Sequence, residues 1–105
     1  MNRTEFFKGI EDTYSECVEI VKKKNQDYAC EEDQFKNFRS ASIIDLDYKK
    51  AILVRILDKL CRISNCIDKE VVVKDEQVED TIKDAINYLA ILREAIKDDE
   101  EKSKT

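Results

Sequence analysis

Cationic residues recur at a helical spacing in the middle of the chain. Arg55, Lys59 and Arg62 occupy positions i, i+4 and i+7, and Asp58 lies among them. Side chains at this spacing share one face of an α-helix. Guanidinium and ammonium groups in such a row can bind phosphate oxygens, and arginine can bind them with two parallel hydrogen bonds. This cationic row is therefore a candidate phosphate site.

Acidic and amide residues form a second row with the same spacing further along the chain. Asp80, Asp84 and Asn87 again occupy positions i, i+4 and i+7, with Tyr88 beside them. Carboxylates in this acidic row could hold Mg²⁺ together with phosphate and water, and asparagine and tyrosine could contact a base or a sugar. The two rows predict a polar cleft between two helices. The same spacing also fits a simpler interpretation, in which the rows pair with each other or face solvent.

A third group of polar and aromatic residues lies in the stretch KKNQDYACEEDQFKNF, residues 23–38, which contains neither glycine nor proline. The stretch opens a long connection between the first two predicted helices. Connections of this length are usually functional or partly structured. Phe35 and Phe38 are expected to anchor the segment to the core, while Lys24 and Asp27 fit either a functional or a solvated role.

The elements that must position these residues are three amphipathic helices. Apolar residues recur at steps of three and four, which predicts helices over Thr4–Lys24, Tyr48–Asp68 and a range from Asp75 or Glu76 to Lys97. Within the connection, the sequence SASIID predicts a short helical turn. The run VVV, residues 71–73, is too short to found a sheet and predicts a packed connection.

Polar residues predict where the helices begin and where the domain ends. Thr4 is the expected N-cap of the first helix, Asp45 or Asp47 that of the second, and Asp75 that of the third. The charged sequence KDDEEKSKT at the C-terminus predicts a solvated, frayed end. We therefore expect a single helical domain over residues 1–97 and a tail over residues 98–105.

The composition restricts the fold class. Of the 105 residues, 42% are hydrophobic and 41% are charged, with one glycine and no proline. This mixture favours amphipathic helices and removes the usual turn formers of all-β folds. A chain of this length forms one domain. We therefore expect an all-α fold, a bundle of three main helices with a long, partly structured connection between the first two.

Charge and residue types also exclude several functions. A net charge of −5 at pH 7 disfavours general DNA or RNA binding, and the absence of histidine excludes Ser–His and Cys–His nucleophiles. No apolar run is long enough for a membrane span or a signal peptide, so we expect a cytoplasmic protein with no membrane partner. Of the four cysteines, Cys17 and Cys61 are expected to be reduced and to pack as small apolar side chains.

The apolar arcs of the helices are wide for a thin bundle. On the second helix the arc from Ile52 through Leu53 to Val54 spans roughly 200° at 100° per residue. A homo-oligomer would bury this surplus apolar surface. A fourth packed segment within the chain would bury it as well, and the pattern alone leaves both explanations open.

Four sequence blocks together carry a family resemblance. They are K-N-x-D-Y at residues 24–28, F-x-N-F at 35–38, R-x-x-D-K-x-x-R at 55–62 and D-E-x-x-x-D-T-x-x-D-x-x-N-Y at 75–88. On these blocks the chain resembles, over about residues 15–95, the small phage and prophage proteins called nucleotide modification associated domain 1. The chain departs from that pattern at Ala29, where glycine is typical, and at Ala85 and Ile86, where Leu-Ala is usual.

The resemblance implies a link to phage nucleotide metabolism. The all-helical layout is also similar to the MazG-type nucleoside triphosphate pyrophosphohydrolases, which oligomerise and place acidic helices around Mg²⁺ and a nucleotide. Those enzymes use an E-E-x-x-E block on one helix, where the present chain has Arg55, Asp58 and Lys59. Only the acidic residues of the third helix resemble the second metal block of that type. The candidate metal ligands are Glu76, Asp80 and Asp84.

The resemblance and the rows together favour a protein that binds a phosphorylated nucleotide without turning it over, for example as a sink for a defence signal. In this hypothesis Lys24 binds phosphate, Tyr28 or Phe38 stacks on a base, and Asn37 supplies hydrogen bonds. The candidate ligand-binding residues are Lys24, Asp27, Tyr28, Asn37, Phe38, Arg55, Asp58, Lys59, Arg62, Asn87 and Tyr88. The alternatives are a Mg²⁺-dependent nucleotide pyrophosphohydrolase and an acidic helical module that blocks a host protein.

Overall fold

In the part of the chain that the structure describes, four α-helices and one 3₁₀ helix make up the fold. The computed structural model describes residues 1–68 except 29–31, and residues 76–104; at positions 28, 76 and 77 it describes the backbone alone. Throughout these ranges the ordered structure is helical and contains no strand, so the all-α prediction is confirmed. The predictions for residues 71–73 and for Asp75 as an N-cap lie outside the described residues.

The first helix, α1, is longer than predicted and begins at a different cap. It spans Arg3–Tyr28. The Asn2 side-chain oxygen accepts a hydrogen bond from the Glu5 backbone N–H at 2.9 Å, which is the interaction of an N-cap residue. The prediction of Thr4 as the cap is therefore wrong, because Thr4 already lies inside the helix. The helix also continues past Lys24, the end that the apolar pattern predicts.

The connection after α1 is partly helical, as the sequence predicts. Helix α2 spans Lys36–Arg39, and a 3₁₀ helix follows over Ser40–Ile44. Asp45 then adopts a left-handed conformation with φ of 57°, and its N–H donates to the Ser42 carbonyl at 3.0 Å. Aspartate tolerates this conformation better than most residues, so the turn ends the 3₁₀ helix at a predictable residue type.

The third helix, α3, has the predicted bounds Tyr48–Asp68. Its start is capped by Asp47, whose carboxylate accepts the Lys49 backbone N–H at 2.8 Å. Of the two caps that the sequence allows, Asp45 and Asp47, the structure uses the second. The capping carboxylate also satisfies a backbone donor that has no intrahelical partner.

The fourth helix, α4, spans Glu76–Ser103 and continues past the predicted end at Lys97. The charged tail, expected to be frayed, is helical as far as Ser103. Two contacts explain the extra length. Asp99 accepts a hydrogen bond from the Tyr48 hydroxyl at 2.7 Å, and Lys102 pairs with Asp98 one turn earlier at 2.9 Å. The first contact ties the end of α4 to the start of α3.

The core lies between α3 and α4. Ile52, Ile56 and Ala95 are buried together, and each buried isoleucine contributes roughly 1.5 to 3 kcal/mol relative to an exposed one. Phe35 and Phe38 pack against this cluster, which confirms that they anchor the connection. The aromatic and aliphatic side chains that complete the cluster are Tyr48, Tyr88, Ile91 and Leu92.

Helix α1 packs against α4 through a short region around Cys17, which is buried as predicted. Residues 3–12 of α1 are all exposed. The described packing is therefore an α3–α4 pair with α1 against α4, and a three-helix bundle over the full helix lengths is not observed. Cys61, expected to pack as an apolar residue, is exposed on α3.

Much of the predicted apolar surface is also exposed. On α3, Leu53, Leu57 and Leu60 are about half exposed. The buried residues of this helix are Ile52 and Ile56, and both belong to the core cluster with Ala95. Within the described ranges, no helix combines the length and the apolar character that a membrane crossing requires.

Candidate functional site

A cleft of about 1000 Å³ lies among the C-terminal half of α1, the connection, α3 and α4. Its walls combine cationic, acidic, amide and aromatic side chains. The cleft-lining residues that the sequence predicts as ligand-binding or metal-binding are Lys24, Asn37, Phe38, Arg55, Lys59, Asp84, Asn87 and Tyr88. The structure thus brings part of the cationic row and part of the acidic row into one place.

Asp84 is the polar centre of this cleft. Its Oδ1 accepts a hydrogen bond from Lys24 Nζ at 2.9 Å, and its Oδ2 lies 3.3 Å from Lys59 Nζ. The two lysines come from α1 and α3, and the carboxylate comes from α4. Three helices therefore meet at one ionic cluster, here called the Asp84 cluster.

The protonation of Asp84 reflects two opposing effects. Burial raises the pKa of this carboxyl, whereas the hydrogen bonds and charges of Lys24 and Lys59 lower it, and the net result is a pKa below the usual value. Asp84 is therefore ionised at neutral pH. A carboxylate between two ammonium groups holds both cations at fixed positions in the cleft.

Arg55 adds a third cation to the same cleft. It lies on α3 one turn before Lys59 and lines the cleft wall. Within the described part of the chain its guanidinium has no ion-pair partner. Arg93, Lys97, Glu94, Asp98 and Glu101 also line the cleft, so its lining contains five cations and four carboxylates, a formal charge of +1, in a chain whose net charge is −5.

Asn87 and Lys83 attach α1 to α4 next to the Asp84 cluster. Asn87 Nδ2 donates to the Cys17 carbonyl oxygen at 3.0 Å. Lys83 Nζ lies 2.8 Å from a Glu16 carboxylate oxygen. The Asn87 amide is thus engaged with backbone, so its structural role is to hold the wall of the cleft in position.

Aromatic side chains form the apolar part of the cleft. The rings of Phe38 and Tyr88 meet edge to face, with centroids 6.2 Å apart and an interplanar angle of 79°. Both rings also pack against the core, so they act as anchors and as cleft walls at once. Asn37, on α2, lines the same cleft and is exposed.

The sequence patterns do not predict several polar residues that line the cleft, which are Asn25, Gln34, Arg93, Glu94, Lys97, Asp98 and Glu101. Asn25 Nδ2 donates to Gln34 Oε1 at 2.7 Å. This hydrogen bond joins the end of α1 to the connection. Asn25 belongs to the K-N-x-D-Y block, and this block could have identified it as a site residue. No sequence pattern marks Gln34.

Other predicted residues do not reach the cleft. Arg62 pairs with Asp58 along α3 at 3.5 Å, and neither lines the cleft. Asp27 and Asp80 are exposed and also lie outside the cleft lining. The predicted side-chain roles of Tyr28 and Glu76 lie outside the described residues.

The predicted metal ligands do not form a metal site in the described structure. Both oxygens of Asp84 face lysine ammonium groups, and Asp80 is exposed outside the cleft. Among the described residues, no group of three or more carboxylate or thiol side chains could hold a metal ion. The side chain of Glu76, the third predicted ligand, lies outside the described residues, so Mg²⁺ binding stays a prediction.

A second polar cluster joins the start of α3 to the end of α4. The Tyr48 hydroxyl donates to Asp99 at 2.7 Å, and Lys49 pairs with the same carboxylate. Burial and the hydrogen bond to Asp99 raise the pKa of Tyr48 to about 12. The Arg39 guanidinium lies 4.5 Å from the Tyr48 ring centroid and bonds Asp33 at 2.8 Å. This network holds the connection against both helices.

Comparison with known proteins adds no relative. No model of a protein family matches the chain, and neither curated protein sequences nor solved structures give a match. The resemblance to nucleotide modification associated domain 1 therefore stays a prediction, and a proposal about function rests on the geometry of the cleft.

Proposed function

We propose that the protein binds a phosphorylated nucleotide in this cleft, with the phosphate facing Lys24, Lys59 and Arg55. The observation that carries the proposal is the convergence of Lys24 and Lys59 on the two oxygens of Asp84. Two ammonium groups from separate helices are held at fixed positions before a ligand arrives. Such preorganised cations bind an anion without the cost of ordering their side chains.

The charge of the cleft fits a phosphate group. The lining of the cleft carries a formal charge of +1, five cations against four carboxylates, which attracts a phosphate group. The cleft is partly enclosed by apolar walls, which focus this potential toward an entering anion. The net charge of −5 over the whole chain disfavours long polyanions, so a small phosphorylated molecule is the better fit.

Size and wall chemistry support a nucleotide over a bare phosphate. A volume of about 1000 Å³ is at the upper end of typical small-molecule sites. The edges of Phe38 and Tyr88 offer an apolar surface to a base. The exposed Asn37 amide supplies a donor and an acceptor for the polar edge of a base.

Asp84 has a positioning role in this proposal. Its carboxylate keeps Lys24 and Lys59 directed into the cleft when no ligand is bound. A phosphate entering beside it would share the same two ammonium groups. Replacement of Asp84 by a neutral residue would make the cleft more positive, but the side chains of Lys24 and Lys59 would no longer be held in position.

The proposal is tested by incubating the purified protein with a panel of mono-, di- and triphosphate and cyclic nucleotides, with and without Mg²⁺. Free nucleotide and nucleotide released by heat are then separated by chromatography. We expect at least one nucleotide to be depleted from solution and recovered intact on heating.

Two outcomes would contradict binding without turnover. A new monophosphate that forms only with Mg²⁺ would show a pyrophosphohydrolase, and loss of that activity in Asp84→Asn would place the reaction in the cleft. No retention of any nucleotide would overturn the proposal and favour a module that acts through a protein partner.

A further inference from the structure

The cleft is elongated along α4, and one stripe of this helix follows its whole length. The residues of the stripe recur at steps of three and four and all line the cleft. They are Asp84, Asn87, Ile91, Glu94, Asp98 and Glu101. At about 1.5 Å per residue, the stripe is roughly 25 Å long. A ligand can therefore lie extended in the cleft, with its two ends in different surroundings.

One end of the cleft is cationic, and we call it the lysine end. Here Lys24 and Lys59 face the two oxygens of Asp84, and Arg55 lies one turn before Lys59 on α3. Three cations and one carboxylate give this end a formal charge of +2. The two helices run antiparallel, because the start of α3 contacts the end of α4. Arg55 therefore extends the cationic region toward the other end of the cleft.

The opposite end carries an excess of carboxylates, and we call it the acidic end. Its charged lining residues are Arg93, Glu94, Lys97, Asp98 and Glu101. Two cations and three carboxylates give a formal charge of −1. The ion pairs of this end lie within α4, since Glu94 pairs with Arg93 at 3.4 Å and with Lys97 at 3.5 Å. Exposed pairs on one helix contribute little, so the Glu94 carboxylate can also accept a hydrogen bond from a ligand.

Asp98 is the second carboxylate of the acidic end that a ligand can reach. It lies one turn after Glu94 on the same stripe, and its ion pair with Lys102, at 2.9 Å, is again local to α4. At the lysine end, by contrast, the Asp84 carboxylate is engaged by cations from two other helices. The carboxylates of the two ends therefore differ in how much of their charge is already matched.

Aromatic side chains lie between the two ends. Tyr88 follows Asp84 by one turn, and its ring meets that of Phe38. Phe35 packs against Tyr48, whose hydroxyl reaches the end of α4. The cleft thus presents cations, then ring edges, then carboxylates in order along α4. This order matches a molecule with a phosphate at one end, an apolar middle and hydrogen-bond donors at the other end.

We propose that the ligand is a nucleotide whose base carries an exocyclic amino group at its far edge, as adenine and cytosine do. Its phosphate lies at the lysine end and its amino group at the acidic end. This inference rests on the proposed nucleotide binding and adds the class of base. An ionised carboxylate only accepts hydrogen bonds, so Glu94 and Asp98 can pair with an amino group. A carbonyl oxygen in the same place would face other acceptors and would lose its hydrogen bonds with water.

The first test uses the unmodified full chain and matched pairs of ligands. Adenosine and inosine nucleotides differ by the exchange of an amino group for a carbonyl on the base, and so do cytidine and uridine nucleotides. Each is used as the mono- and the triphosphate, and ribose 5-phosphate serves as a probe without a base. In equilibrium dialysis the amino member should bind roughly fivefold more tightly than the carbonyl member, the low end of what polar contacts to a base edge supply.

The outcomes separate this inference from the proposed function. Equal affinity within both pairs, tighter binding of the carbonyl members, or binding of ribose 5-phosphate as tight as that of the nucleotides would overturn the inference and leave a phosphate site in place. Retention of none of these probes would contradict nucleotide binding, and the inference would fail with it.

The second test locates the carboxylates that accept from the base. Glu94→Gln and Asp98→Asn each replace a carboxylate by an amide, which also donates, and each should reduce the preference for amino bases. Glu100→Gln removes the same charge at an exposed residue of α4 outside the cleft lining and should keep it. A preference that survives in both cleft variants would overturn the assignment of Glu94 and Asp98. The ratio of two affinities is the readout, because a general loss of stability leaves it unchanged.

Discussion

At the scale of single residues, Asp84 decides how the cleft is charged. Its two oxygens engage Lys24 and Lys59 from different helices, so one side chain connects α1, α3 and α4. The same contacts hold the pKa of Asp84 low against the effect of burial. Asp84 therefore contributes both to stability and to the proposed ligand site, so its replacement should affect both.

Asp84→Asn should lower the free energy of unfolding by about 1 to 2 kcal/mol at pH 7, because two charge-assisted contacts are lost. The folded pKa of Asp84 lies below the ordinary aspartate value of 3.8, so the stabilisation is present above that pH and disappears as pH falls through the folded pKa. Urea unfolding at several pH values should show the difference between wild type and variant shrinking in acid.

Asp12→Asn provides the matched control. Asp12 pairs with Lys8 on the exposed N-terminal half of α1 at 3.4 Å, and such exposed pairs contribute little. We expect a change within about 0.5 kcal/mol. A loss in Asp12→Asn as large as that in Asp84→Asn would show that the Asp84 cluster has no special role in stability.

Tyr48→Phe should cost about 1 kcal/mol at pH 8, because the hydrogen bond that the Tyr48 hydroxyl donates to Asp99 is lost. The folded pKa is raised from 10.0 to about 12. The stabilisation is therefore complete below pH 10 and is lost as pH rises toward 12, so unfolding at pH 11 should show a smaller difference between wild type and variant.

Tyr14→Phe is the corresponding control, since Tyr14 is exposed on α1 and its hydroxyl has no hydrogen-bond partner in the described structure. It should change stability by less than about 0.5 kcal/mol. An alkaline profile of Tyr48→Phe that runs parallel to that of the wild type would contradict the role assigned to the Tyr48 hydroxyl.

At the scale of elements, the seam between α3 and α4 carries most of the buried apolar surface. Ile52→Ala should destabilise the protein by about 2 to 5 kcal/mol, because it removes a fully buried side chain and leaves a cavity. Ile43→Ala makes the same change at a residue that is 87% exposed and should cost less than about 0.5 kcal/mol. Chemical denaturation of both variants measures the difference directly.

The sequence predicts the bounds of the helices better than it predicts which residues of a helix pack against its neighbour. Apolar periodicity places α3 at its observed bounds, and the capping rules allow Asp47 as its start. Periodicity shows that an arc is apolar but not which part of the arc a neighbouring helix covers. On α3 the covered residues prove to be Ile52 and Ile56, while Leu53 and Leu60 stay exposed.

The limits of prediction at the cleft have a similar cause. Spacing places Arg55 and Lys59 on one face, and the structure brings both to the cleft. The pairing of Lys24 with Asp84 joins residues sixty positions apart, so no local pattern reveals it. The helical end of α4 depends on Tyr48 in the same way, because its contact to Asp99 is distant in sequence.

At the scale of the whole molecule, the α3–α4 pair separates two kinds of surface. One surface carries the polar cleft around Asp84, whereas Leu53, Leu60 and Leu89 are exposed apolar residues that lie outside the cleft lining. The buried residues of the core between the two helices are Ile52, Ile56 and Ala95.

The most direct test of nucleotide binding in the cleft compares two variants of equal net charge. Lys59→Gln and Lys8→Gln each remove one cation from a chain of net charge −5, but only Lys59 lines the cleft. The change in melting temperature with the nucleotide panel is measured for both and for the wild type.

We expect the same nucleotide to stabilise the wild type and Lys8→Gln. Lys59→Gln should require a nucleotide concentration about tenfold higher for the same stabilisation, which corresponds to about 1.4 kcal/mol of binding free energy. Equal stabilisation of all three proteins would contradict the proposed phosphate site. Absence of stabilisation in all three would contradict nucleotide binding itself.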